Sequence, residues 1–282
     1  MMTLDAALTA LVYLATCFIL FLLGKWAYQL FHRKVNVQHE LVEKDNFAFA
    51  IAHVGYFIGL LLAIGSAIIG PSNGLVQDLI DIFLYGMMAI VLLNLSILIN
   101  DKLIFRRFSM YKEIIDDRNA GTGVIEAANG IATGLIILGA VSGEGGGVVT
   151  ALAFWGIGQL LLMLTAWVYN LVTPYDIHAY IEQDNVPVGL GYAGALISIA
   201  NLIRYGLMTE FFSWTESLIN VGLDVGLGLL FLPVVRLFAD KILLPGRNLT
   251  DELINQEHPN IGAGLIEAFA YIGGSVLITY AL

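Results

Sequence analysis

Eight long apolar runs constrain this chain more than any other feature: approximately residues 6–30, 47–69, 77–104, 120–141, 148–172, 186–208, 216–240 and 261–282, each bounded by charge, proline or glycine. A helix of about 20 apolar residues crosses the hydrocarbon core of a bilayer. Lipid offers no partner for backbone N–H and C=O groups, so runs of this length form helices. The expected fold is all-α, a polytopic membrane protein with eight transmembrane helices and the lipid bilayer as its first partner. With 58% hydrophobic and 13% charged residues and a mean hydropathy of +0.81, the 282 residues leave nothing over for an aqueous catalytic domain. The first run is too long for a signal-peptide core and has no basic segment before it, so it is expected to stay as the first helix.

Charge sets the orientation and excludes several classes. Of 13 Lys and Arg, all but Arg204 fall in or beside the loops after runs 1, 3 and 7, including Arg106 and Arg107. Lys and Arg collect on the cytoplasmic side of short loops. The loops after runs 1, 3, 5 and 7 are therefore expected in the cytoplasm, with the turns Pro71 to Gly74, Ser142 to Gly147 and Thr209 to Glu216, and both termini, outside. The loop after run 5 carries no Lys or Arg and follows only by alternation. A net charge of −10 is the wrong sign for a nucleic-acid binder. The lone Cys17 sits inside an apolar run and reads as a small buried hydrophobe. Only His53 lies well inside a helix, so there is no histidine pair for a haem, and no Cys/His cluster suits zinc. The glycines from Gly143 to Gly147 lack the lysine of a phosphate loop. No cofactor is expected, and nothing points to an enzyme.

The chain repeats itself. Thr9-Ala10-Leu11 and Trp26 to Leu30 match Thr150-Ala151-Leu152 and Trp167 to Leu171 at an offset of 141, which pairs Tyr28 with Tyr169. Asp101-Lys102-Leu103 matches Asp240-Lys241-Ile242, and Gly121 to Ala127 matches Gly262 to Ala268. This predicts two tandem four-helix halves, residues 1–142 and 143–282, pointing the same way. A finer period divides each half into helical hairpins, four in all, because every even-numbered run follows an acid placed three residues before an Asn: Glu43/Asn46, Asp116/Asn119, Glu182/Asn185 and Glu257/Asn260. The Asn suits an N-cap and the acid suits the positive end of the helix dipole. Counting from each Asn, small residues or Pro stand at +2 (Ala48, Gly121, Pro187, Gly262), and small residues at +4 (Ala50, Gly123, Gly189, Gly264) and +13 (Gly59, Ala132, Ser198, Gly273). Such stripes let backbones approach closely.

Position +7 is polar in all four copies: His53, Glu126, Tyr192 and Glu267. Ionisable groups at that depth are costly unless paired, protonated or wetted, which makes them functional candidates. If the four even helices pack around the pseudo-axis, these side chains converge on one site with two carboxylates, an imidazole and a phenol, suited to a proton or small cation. Asp81, aligned with Asn220, and Asp224 offer a polar group near the outer face of each half, with Arg204 as a partner for Asp224. Asp78 is expected among the headgroups, solvated. The leading function is transport or conduction of a small cationic solute or protons. The alternative is a non-transporting scaffold whose Gly55/Gly59, Gly130/Gly134 and Gly222/Gly226 faces pack helices or join copies into a homo-oligomer.

The duplicated E-x-x-N segments, the Gly-x-Gly-hydrophobic-Ile-Glu-Ala signatures at 121–127 and 262–268, and the Asp-Asn pairs at 45–46 and 184–185 resemble the YjfL-like family of bacterial inner-membrane proteins over essentially the whole chain. The resemblance implies a duplicated membrane domain in the inner (cytoplasmic) membrane of a Gram-negative bacterium, where the orientation read from charge makes both termini periplasmic, and a genomic association with envelope stress and polyamine or peptide-ligase genes. It implies no activity or catalytic residue. The fourth copy departs from the pattern, with Pro259 before Asn260.

Overall fold

The computed structural model describes residues 4–70, 72–104, 109–143 and 145–282; Pro71, Arg106, Arg107 and Glu144 lie outside these. Among the described residues, eight helices are long and apolar enough to cross a membrane. They are α1 Leu4–Phe31, α2 Phe47–Gly65, α3 Leu75–Leu103, α4 Ala120–Ser142, α5 Val148–Val172, α6 Val186–Leu207, α7 Trp214–Phe238 and α8 Ile261–Ala281. The apolar run of α2 outlasts its helix, because Ala67 and Ile68 tighten into i→i−3 turns, donating to Ile64 and Gly65. Among the described residues, four short elements precede the even helices where only loops were expected, π-helical turns at His39–Glu43 and Lys112–Asp116 before α2 and α4, and short α-helices at Ile177–Glu182 and Leu249–Ile254 before α6 and α8; a fifth, the π-helical turn Ala239–Leu243, continues α7.

The helices form two layers. The even helices stand in a row, α2 on α4, α4 on α6 and α6 on α8, and no packed interface joins α8 back to α2. The odd helices form the second layer, α1 on α3, α3 on α5 and α5 on α7, each lying against its even neighbours. The expectation that the even helices surround an axis is therefore corrected. The reason lies in two of the small-residue positions: at 100° per residue, +2 and +4 are about 200° apart, on nearly opposite sides of the helix. A helix with small residues on opposite sides accepts one close neighbour on each, which extends a row instead of closing a ring.

The packing follows that rule copy by copy. A Cβ added at the +4 glycine of α4, Gly123, would stand 2.4 Å from the carbonyl oxygen of Ala48, the +2 residue of α2. Gly189 of α6 meets the Gly121 oxygen of α4 in the same way at 2.8 Å, and Gly264 of α8 meets the Pro187 oxygen of α6 at 2.6 Å. The α4–α6 contact, which crosses from one half to the other, is built like the contacts within each half. Gly55, Gly59, Gly130 and Gly134 are all used inside the α2–α4 interface and are not free to join copies, whereas Gly222 and Gly226 on α7 face open space.

Candidate functional site

The four asparagines are N-caps, as expected. Their side-chain oxygens accept from the amides of Phe49 (3.1 Å), Thr122 (2.8 Å), Val188 (3.0 Å) and Ala263 (3.2 Å). The acids three residues earlier, Glu43, Asp116, Glu182 and Glu257, are exposed and do not bond them. Glu43 instead pairs with His39 at 2.6 Å. The acids that do meet the caps are buried and were missed: Asn46 donates to Glu40 (2.9 Å), Asn119 to Glu113 (3.0 Å) and Asn260 to Glu252 (2.9 Å). In the first two copies the acid lies six residues back, reached through a left-handed residue before the cap, Asp45 (φ 49°) and Arg118 (φ 54°). Asp184 repeats that conformation at φ 58° before Asn185. Proline holds φ near −65°, so Pro259 cannot take that path, and the fourth copy draws its acid from eight residues back.

The first three caps also tie each hairpin to the next. Asn46 donates to the Ile114 carbonyl (2.9 Å), Asn119 to that of Ile181 (2.7 Å) and Asn185 to that of Leu253 (2.9 Å), all in the short elements of the following copy. Burial opposes the charged form of Glu40, but the Lys44 ammonium at 2.8 Å and Asn46 outweigh it and hold the carboxyl below the usual carboxylate range. Glu113 has no lysine bonded to it; burial wins, and its carboxyl lies above that range. Asn119→Ala removes the cap, the bridge to Ile181 and the donor to buried Glu113, and is expected to cost about 2–3 kcal/mol, read as a lower thermal midpoint in detergent. Asn119→Asp keeps the acceptor, loses both donors and brings a second carboxylate beside Glu113, so it should rescue little.

The +7 residues do not converge on one site; they divide into two clusters, one in each half. In the first, Tyr28 of α1 packs edge-on against His53 of α2, ring centroids 4.6 Å apart, and Phe49 and Phe57 enclose the imidazole at 5.2 and 4.4 Å. Tyr28 also lies in the electrostatic neighbourhood of Glu126 and Asp101. The half-buried carboxyl groups of Glu126 and Asp101 are neighbours, each within the other's electrostatic reach. Asn129 donates to Glu126 at 3.2 Å and accepts from Asn100 at 2.8 Å, and Asn100 also donates to Gln159 of α5 at 3.1 Å. Buried oxygens on Asp101, Asn100 and Thr133 have no partner.

The second cluster has the same scaffold and different electrostatics. Tyr192 packs at a tilt against Tyr169, the counterpart of Tyr28, ring centroids 5.4 Å apart. Glu267, the counterpart of Glu126, is fully buried and takes Arg236 Nη1 at 2.5 Å, with the Tyr169 and Tyr271 hydroxyls at 3.5 Å. Arg236 also donates to Thr250 (3.3 Å) and lies over the Tyr175 ring at 5.8 Å. Asp240, the counterpart of Asp101, instead accepts from the Leu249 amide at 2.6 Å. One half thus holds an acid–acid pair and the other an acid–base pair.

At the opposite end of the span, Asp78 and Asp81 of α3 line a cavity of ≈ 420 Å³ with Tyr13, Tyr85, Ser142 and Thr150. Asp78 is tied down, not merely solvated: it accepts from the Tyr13 and Ser72 hydroxyls and from the Asn73 amide. Asp81 accepts from Gln77 at 2.9 Å. The expected Arg204–Asp224 pair does not form. Arg204 donates to Asn201 Oδ1 (3.1 Å) and to Met208 Sδ, and half-buried Asp224 lies beside Gly206. Sequence reasoning also missed Asp101 and Arg236 as site residues. The first was only a term in the repeat, and the second counted as a loop cation.

The chain matches the family described as Domain of Unknown Function (DUF350) twice, over residues 1–141 and 145–282. It is similar to a UPF0719 transmembrane protein of Aquifex aeolicus (strain VF5), 20% identical over 183 residues, which are 64% of this chain and 65% of that protein, so the match spans less than two thirds of the relative's length. No solved structure matches. With two consecutive matches that together span nearly all of its length and a multi-pass helical fold, the chain is an integral membrane protein of the DUF350 family.

Proposed function

We propose that this protein moves protons or a small cation across the membrane, with the Asp101–Glu126 carboxyl pair as its charged centre and Tyr28 and His53 beside it. The observation that carries the reading is the pair itself: two neighbouring acids within the apolar spans, half-buried, with no lysine or arginine bonded to either among the described residues. Intramembrane acids are retained where they serve a pathway, because each costs free energy to keep there. Asn129, Asn100, Gln159 and Thr133 continue the polar line deeper between α3, α4 and α5, and the cavity at Asp78 and Asp81 opens at the other end. In the orientation favoured by the basic residues, the pair faces the cytoplasm of a bacterial inner membrane and the cavity faces outward.

The test is flux in proteoliposomes over a panel of protons, alkali cations and polyamines. Asp101→Asn and Glu126→Gln are each expected to lower it about tenfold or more, while the Arg236→Gln/Glu267→Gln double variant retains it. Undiminished flux in Asp101→Asn/Glu126→Gln, or no flux of any panel member in the wild type, overturns the reading and leaves a scaffold, for example in envelope stress.

A further inference from the structure

Resting on that reading, we infer that the Asp101–Glu126 pair exchanges its shared proton for one monovalent cation, and that the second half has given up this exchange by seating Arg236 on Glu267. Two carboxylates side by side in an apolar span repel each other and are poorly solvated, so the pair keeps a proton, and with one proton shared between them it carries one negative charge. When a monovalent cation enters between the oxygens, the O–H bond breaks, the proton leaves to water, and both carboxylates become ligands. The charge of the site is unchanged. A divalent ion would alter it by one unit, which a low-dielectric setting penalises.

The second half supplies the internal comparison. At the matching glutamate a cation already sits on the carboxylate, the Arg236 guanidinium 2.5 Å from Glu267 Oε1. The aromatic surroundings correspond, Tyr169 for Tyr28 and Tyr192 for His53, and the difference is the partner: a tethered cation in one half, an acid in the other. The first half also has unused ligands. Asn100 is fully buried with Oδ1 unpartnered, in the same network as Asn129 and Glu126, and Asp101 Oδ1 is unpartnered as well. Oxygen donors of this kind suit a hard cation. The titratable groups facing the pair among the described residues are Tyr28 from α1 and the two acids themselves, with His53 of α2 behind Tyr28.

The experiment reads protons directly. Detergent-purified protein in weak buffer with a pH indicator receives sodium or potassium chloride, or N-methylglucamine chloride at equal ionic strength. The expected result is release of about one proton per chain with an alkali salt and none with the bulky cation. Asp101→Asn and Glu126→Gln, checked for folding by circular dichroism and size exclusion, should release none, and Arg236→Gln/Glu267→Gln should release as much as the wild type. No release from folded wild type, or equal release from the two single variants, overturns the inference. Proton release without flux keeps the exchange site and removes transport; flux without cation-induced release keeps transport and removes the exchange.

Discussion

Gly59→Ala is expected to separate α2 from α4 and to cost at least about 3 kcal/mol, at the upper end of overpacking substitutions, because the obstacle is backbone that cannot rotate away. The new Cβ would stand 2.1 Å from the Gly130 carbonyl oxygen and 2.7 Å from its carbon. Moving α4 to make room also disturbs Gly55 on Ala127, Gly123 on Ala48 and Gly134 on Gly59, the other close approaches of the same interface. The control is Gly222→Ala on α7, where nothing lies within 4 Å. Alanine there removes a flexible residue from a helix and should be neutral or stabilising by about 0.5–1 kcal/mol. Thermal midpoints in detergent decide the matter: equal stability of Gly59→Ala and Gly222→Ala would refute the row of close-packed even helices.

Arg236→Met is the second large effect. It strips Glu267, fully buried, of its only charge partner among the described residues while Glu267 Oε2 already has none there, so a loss of about 3–5 kcal/mol is expected. Glu267→Gln should also destabilise, by leaving the guanidinium without its counter-charge. Arg236→Met/Glu267→Gln together should recover much of the loss, with a coupling energy of about 2 kcal/mol or more in the double-mutant cycle. The first half is expected to behave otherwise. A glutamine at Glu126 can still donate to Asp101, so Glu126→Gln should leave the midpoint nearly unchanged while it removes function. Strictly additive losses at Arg236 and Glu267 would show that the second cluster is not the locked ion pair described here.

Local features of the chain carried much of this architecture. Eight spans, their helical character and the four N-caps follow from apolar run length and from one Asn at each even helix, because both depend on groups close together in sequence. The acids meeting those caps were less legible. Glu40, Glu113 and Glu252 reach their asparagines through π turns, a left-handed residue or a short helix, so their spacing varies between copies and a constant-period search selects the exposed acids instead.

The duplication likewise identified Glu126 and Glu267 as equivalent positions, and that equivalence is real for the backbone. Their partners are not equivalent. Asp101 reaches Glu126 only when α3 packs on α4, and Arg236, which reads as one more surface cation, turns inward from the end of α7 to Glu267. By itself the sequence determined how many helices span the membrane, about where each of them begins and which acids lie deep, since those depend on period, capping and hydropathy within one segment. Only the tertiary structure decided that the even helices form a row, and hence that each acid faces a different neighbour, because side-chain pairing depends on which helix faces touch, a property of contacts between segments that no single segment encodes.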